Sequence, residues 1–179
     1  NESSLVAFNI GSKAPEESGF KIIGAHTDSP NLRLKPNPVY LKNGYVQLGV
    51  EVYGGALLTT WTDRDLSLAG RVILKSSLTK KASKERHSRK KYPIYQGVIS
   101  RLIAFDRPLL RIPQLAIHLN RSVNEKGLVL NPQNHLPPIF ALVDTKTKSK
   151  TLLIDLVAKE LKCKTEDIIS LEMQLYDMQ

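Results

Sequence analysis

Only one stretch of this chain has the periodicity of an amphipathic helix. Between Thr151 and Leu161, the residues Leu152, Leu153, Leu156, Val157 and Leu161 recur at three- and four-residue spacing and share one helical face. The other apolar runs are short, rich in β-branched residues and punctuated by glycine and proline, which predicts a mainly β structure. Strands are expected at Gly19–Ala25, Tyr45–Tyr53, Leu68–Lys75, Gly97–Ala104 and Ile169–Tyr176. Ala56–Trp61 continues the β-rich stretch, and Leu109–Ile112 is strand-like, with Pro108 and Pro113 confining it to an edge or a bend. Thr165 is placed to cap a short helical turn whose first residues, Glu166 and Asp167, suit the positive end of the helix dipole. With 179 residues, 41% of them hydrophobic, the chain can bury one core, or one core and part of another.

The formal net charge of +9 invites a nucleic-acid hypothesis, and its distribution argues against one. Lys80 to Lys91 holds seven Lys/Arg and one Glu, so six of the nine net charges sit in twelve residues. Like charges this dense repel one another, and no aromatic residue lies within the run to stack on bases; Tyr92 and Tyr95 stand at its edge. A solvated loop is expected, with nuclear targeting or RNA contact as the alternatives. Cys163 is the sole cysteine, which excludes an intrachain disulfide and a zinc ribbon and suits a reducing compartment. No apolar run approaches the roughly 18 residues of a membrane span, and Asn1-Glu2-Ser3-Ser4 lacks the basic-then-apolar pattern of a signal peptide. A cytoplasmic location without membrane contact is expected.

His26 and Asp28 follow the apolar run Gly19–Ala25, and Pro30 ends the element. The end of a strand is where open α/β sheets place their chemistry. A neutral imidazole nitrogen is a good zinc ligand, and a carboxylate two residues away can orient its other ring nitrogen. A His-x-Asp pair alone fits a satisfied structural histidine equally well. His118, between Ile117 and Leu119, reads by itself as a buried strand histidine. Asp63-Arg64-Asp65 reads as a salt-bridged turn, Glu51 as a solvated strand residue, and His87 and His135 as bystanders. Lys162 and Lys164 could lower the thiol pKa of Cys163, but no neighbouring histidine or oxyanion motif makes it a nucleophile, so a structural role is expected.

The string from Ile23 to Arg33, Ile-Gly-Ala-His-Thr-Asp-Ser-Pro-Asn-Leu-Arg, resembles the aspartyl aminopeptidase family. The resemblance continues in order through Gly49–Gly55, Thr60–Leu66, Leu68–Val72 and Arg111–Arg121. It implies an α/β class: residues 1–32 would begin an α/β zinc-aminopeptidase catalytic domain, and residues 33–179 would form an inserted, mainly β dimerisation domain carrying the basic loop 80–91. By the same resemblance His26 matches a zinc ligand of a two-zinc centre and Asp28 the carboxylate that orients it. His118 matches a histidine that reaches into a neighbouring subunit's active site. Asp63–Asp65 would lie beside that site or at a subunit contact. The implied activity is removal of N-terminal Asp or Glu from peptides by zinc-activated water, in a homo-oligomer built from dimers. The family's bridging carboxylate, further ligands and general base follow a segment resembling Leu175–Gln179. The chain is therefore expected to be an inactive fragment that needs the C-terminal catalytic segment of the same protein. A non-catalytic oligomerisation module is the alternative.

Overall fold

The computed structural model describes residues 4–75, 94–95, 97–143 and 150–179. The basic loop 80–91, with His87, lies outside them. Seven strands form one sheet: β1 (Asn31–Lys42), β2 (Tyr45–Tyr53), β3 (Leu66–Lys75), β4 (Ile94–Tyr95), β5 (Val98–Ala104), β6 (Ile139–Leu142) and β7 (Ile168–Asp177). Their order is β4-β5-β3-β7-β1-β2-β6, and every named pairing is antiparallel. Single helical turns at Pro15–Ser18 (α1), Val123–Lys126 (α2) and Pro132–His135 (α3) precede the longer α4, Leu152–Leu161.

Alternation along the strands divides the sheet into two faces. Leu32, Leu48, Val50, Leu66, Leu68, Val72, Met173 and Leu175 point to one side, where Leu153 and Val157 of α4 join them in a single core. Lys162 ends α4 in the left-handed conformation, with φ 53°, and the Cys163 N–H closes onto the Ala158 carbonyl at 3.0 Å. Ser67, fully buried on β3, places its hydroxyl 2.8 Å from the carbonyls of both Phe105 and Arg107. Tyr176 also donates to the Phe105 carbonyl, at 2.5 Å, so Ser67→Ala orphans chiefly the Arg107 oxygen. We expect a loss on the order of 1 kcal/mol in denaturant unfolding. A midpoint unchanged from the parent would show that this anchor of the Phe105–Arg107 turn is dispensable.

The helix and the strands at Tyr45–Tyr53, Leu68–Lys75, Gly97–Ala104 and Ile169–Tyr176 form within two residues of their expected bounds. Other expectations are corrected. Gly19–Ala25 is not a strand. No strand among the described residues pairs with it, and Ile22 and Ile23 are 87% and 98% exposed, so its apolar side chains have nothing to pack on. Ala56–Trp61 instead contains a 3-10 turn, Leu58–Trp61. Leu109–Ile112 makes only isolated bridges, Leu66 to Leu110 and Arg111 to Ile139, flanked by its two prolines. The turn Thr165–Asp167 forms, but Lys164 precedes it at the cap and Thr165 lies inside. The mainly β part expected after residue 32 is present as this antiparallel sheet, and residues 4–30, expected to begin an α/β domain, contain α1 as their one regular element among the described residues.

Strand β1 was not expected at all, because Pro36 and Pro38 lie within it. Neither proline can donate to a ladder, and the pairing with β2 slips there, from Leu34 opposite Val50 to Val39 opposite Leu48. The intervening residues bulge outward and the ladder resumes. Asn43 and Gly44, with φ of 50° and 80°, then close the hairpin between Lys42 and Tyr45. That hairpin brings Tyr53, the last residue of β2, opposite Asn31, the first of β1.

Candidate metal-ligand site

The second face of the sheet is polar, and the segment Ala25–Ser29 lies over it. Together they bound an open hollow of about 780 Å³ whose floor includes Arg33, Tyr53, Arg71, Glu172 and Gln174. His26 and Asp28 are brought together at its rim. The His26 Nδ1 lies 2.6 Å from the Asp28 main-chain carbonyl oxygen and 3.6 Å from the Asp28 carboxylate Oδ1. A carbonyl oxygen can only accept, so Nδ1 carries the proton and donates it. In the neutral ring this leaves the lone pair on Nε2, the tautomer a metal requires. The donor is thus held most closely by the main chain of Asp28, whose carboxylate also has a second partner.

That carboxylate accepts a short hydrogen bond on Oδ2 from the Tyr53 hydroxyl. The bond holds the Asp28 carboxyl below the usual carboxylate range; its own main-chain amide and the nearby His26 act in the same direction. The same bond pushes the Tyr53 phenol above its ordinary value. The Arg33 guanidinium stands over the ring, 4.5 Å from its centroid. Asn31 donates to the Ser29 carbonyl at 2.9 Å and to Gln174 Oε1 at 3.1 Å, tying the segment to both β1 and β7.

As a test of fit to zinc, His26 qualifies as one ligand. Its imidazole is anchored through Nδ1, and its side chain is 79% exposed. Among the described residues, no group of three or more His, Cys, Asp or Glu side chains could hold a metal ion. His118 does not line the hollow. In place of the buried strand position that its neighbours suggested, it occupies an exposed turn closed by the Leu119 N–H on the Ala116 carbonyl at 2.8 Å.

The remaining candidates have structural partners. Arg111 reaches Asp65 at 3.2 Å and the Asp63 carbonyl at 3.1 Å, Gln114 N–H donates to Asp63 Oδ1 at 3.2 Å, and Arg64 pairs with Asp177. The Asp-Arg-Asp cluster therefore locks its turn to the chain after Leu109 and to the end of β7. His135 Nδ1 accepts from the Asn131 N–H at 3.0 Å, within the α3 turn. Burial, followed by the charge of Asp167, pushes the Cys163 thiol up, so Lys162 and Lys164 do not make it a nucleophile. Glu51 is exposed opposite Arg33. Sequence reasoning missed Tyr53, whose only signal was its place at the end of an alternating strand before Gly54-Gly55. No helix among the described residues is long and apolar enough to cross a membrane.

The Peptidase M18 family, described as aminopeptidase I zinc metalloprotease, matches residues 1–179. A probable M18 family aminopeptidase 2 of Pseudomonas putida is 46% identical over 181 residues, covering 100% of this chain and 38% of that protein. Among solved structures, that of mApe1 from Chaetomium thermophilum is 32% identical with a TM-score of 0.64, over 86% of this chain and 33% of that one. The structure of the Ape4 and Nbr1 complex is 36% identical with a TM-score of 0.68, over 86% of this chain and 29% of that one. The chain spans 38% of the length of the curated relatives it matches.

Proposed function

This chain belongs to the M18 family of aminopeptidase I zinc metalloproteases, and from that membership we propose that the complete protein is a zinc aminopeptidase removing N-terminal Asp or Glu from peptides. In this reading His26 is one ligand of a two-zinc site and Asp28 is the residue that holds it. The observation that carries the reading is the His26 hydrogen bond: Nδ1 lies 2.6 Å from the Asp28 carbonyl oxygen, which leaves Nε2 as the ring nitrogen free to face a metal. When bound, zinc supplies polarisation of the scissile carbonyl and of the attacking water. The further ligands and the general base are expected from polypeptide outside the described residues, in keeping with the 38% of each relative that the chain spans.

His118 is proposed to serve the active site of a neighbouring subunit in a cytoplasmic homo-oligomer. The support is its setting: Leu115, Ile117 and Leu119 are 63%, 43% and 74% exposed, an apolar flank suited to a second copy. His118→Ala is expected to lower kcat about 100-fold, as loss of one oxyanion donor does, without changing zinc content. Mixing His118→Ala and His26→Ala subunits is then expected to restore part of the activity, because some sites combine an intact His26 with an intact His118 from a partner. No recovery in mixed oligomers would remove the intersubunit role.

The reading as a whole is tested by offering the complete, zinc-loaded protein peptides that differ only in their first residue. Release of Asp and Glu is expected to outpace release of Ala and Leu. Equal rates would remove the acidic preference, and no release from any peptide would leave an oligomerisation module.

A further inference from the structure

We infer that Tyr53 is a positioning residue for the metal ligand: its hydroxyl holds the Asp28 carboxylate and thereby sets the main-chain carbonyl that orients His26. The inference rests on the proposed reading of His26 as a zinc ligand. It follows from how the sheet meets the segment carrying that ligand. Residues 19–30 pair with no strand among those described, and the side chain of Asp28 is 55% exposed. Asn31 ties the segment to Gln174 of β7, and Tyr53 meets it at Asp28.

The second of these contacts is set by the strands. Tyr53 ends β2 directly opposite Asn31, so its ring stands beside the point where the ligand segment enters β1. Gly54, with φ of 71°, lets the chain turn away so closely that a Cβ there would lie 3.4 Å from Pro30 Cγ. Arg33, on the same strand face, braces the ring 4.5 Å from its centroid. The hydroxyl direction is therefore set by the sheet, and it donates to Asp28 Oδ2. His26 Nδ1 is bonded to the carbonyl of that same residue at 2.6 Å, while Asp28 Oδ1 is 3.6 Å away. The route is thus sheet, Tyr53 hydroxyl, Asp28 carboxylate, Asp28 main chain and His26. Partners that fix a ligand in this way are worth about 10–100-fold in metal affinity.

Tyr53→Phe in the complete, zinc-loaded protein tests this, since it keeps the ring and its packing on Arg33. Zinc release to a chelator is expected to quicken about 10–100-fold, with the melting temperature of the chelated protein unchanged. Added to Asp28→Ala, Tyr53→Phe is expected to change release no further, because the route through the carboxylate is already cut. Release as slow as in the parent, or the same further acceleration in the Asp28→Ala background, would overturn the inference. Zinc content in His26→Ala separates the two levels: if it stays at the parent value, the reading of His26 fails and the inference with it.

Discussion

His26→Ala is expected to remove zinc from the site and abolish peptide release, while the sheet stays as stable as in the parent. The two halves of this result follow from one geometry. The His26 side chain is 79% exposed and bonds to Asp28, two residues along, so truncating it removes no core contact. Surface changes of this kind stay within about 0.5 kcal/mol. Losing a partner one shell further out already costs metal affinity about 10–100-fold, so losing the ligand itself costs more. Metal analysis together with a denaturant melt reads both halves. Full zinc content with full activity would remove His26 from the metal centre, and a collapsed melt would assign it a structural role instead.

Gly70→Ala is expected to prevent the sheet from forming. Gly70 lies mid-strand in β3, opposite Met173 of β7, at the centre of a ladder running from Leu66–Asp177 to Leu74–Ile168. A Cβ at this position would stand 2.1 Å from the Glu172 carbonyl oxygen and 2.8 Å from the Met173 Cα. Both are backbone atoms of the paired strand, so no side chain can swing aside. Relief requires β3 and β7 to separate, and they carry Leu66, Leu68, Val72, Met173 and Leu175 of the core. The cost therefore exceeds the roughly 1–3 kcal/mol of ordinary overpacking. Gly55→Ala is the matched control, since nothing lies within 4 Å of its Cβ position and its φ is not positive. Circular dichroism should show a native melt for Gly55→Ala and none for Gly70→Ala. A cooperative melt within a few degrees of the parent for Gly70→Ala would show that the two strands can yield.

Much of the fold was legible because its signals are local. The apolar stripe of Leu152–Leu161 reports a helix from its own spacing, and alternation in Tyr45–Tyr53 reports a strand with one buried face. Asn43-Gly44 was a readable hairpin signal between β1 and β2, obscured by the prolines just before it. Gly19–Ala25 shows the opposite error: its composition suits a strand, but a strand exists only where a neighbour accepts its hydrogen bonds. His118 was misplaced by the same local habit, since apolar neighbours suggested burial and the turn leaves all three residues exposed.

Sequence by itself determined the family, the helix, most of the strands and the pairing of His26 with Asp28, because each depends on residues close along the chain or on a motif preserved in order. Only the tertiary structure decided what holds Asp28. Tyr53 lies 25 residues away and reaches it because a bulge at Pro36 and Pro38 resets the register of β1 on β2, returning the end of one strand to the start of the other. Cross-strand register is a non-local quantity, set by which hydrophobic face must be buried and by where the ladder can slip. No spacing along the chain could have revealed that the segment carrying His26 and Asp28 is anchored from the sheet.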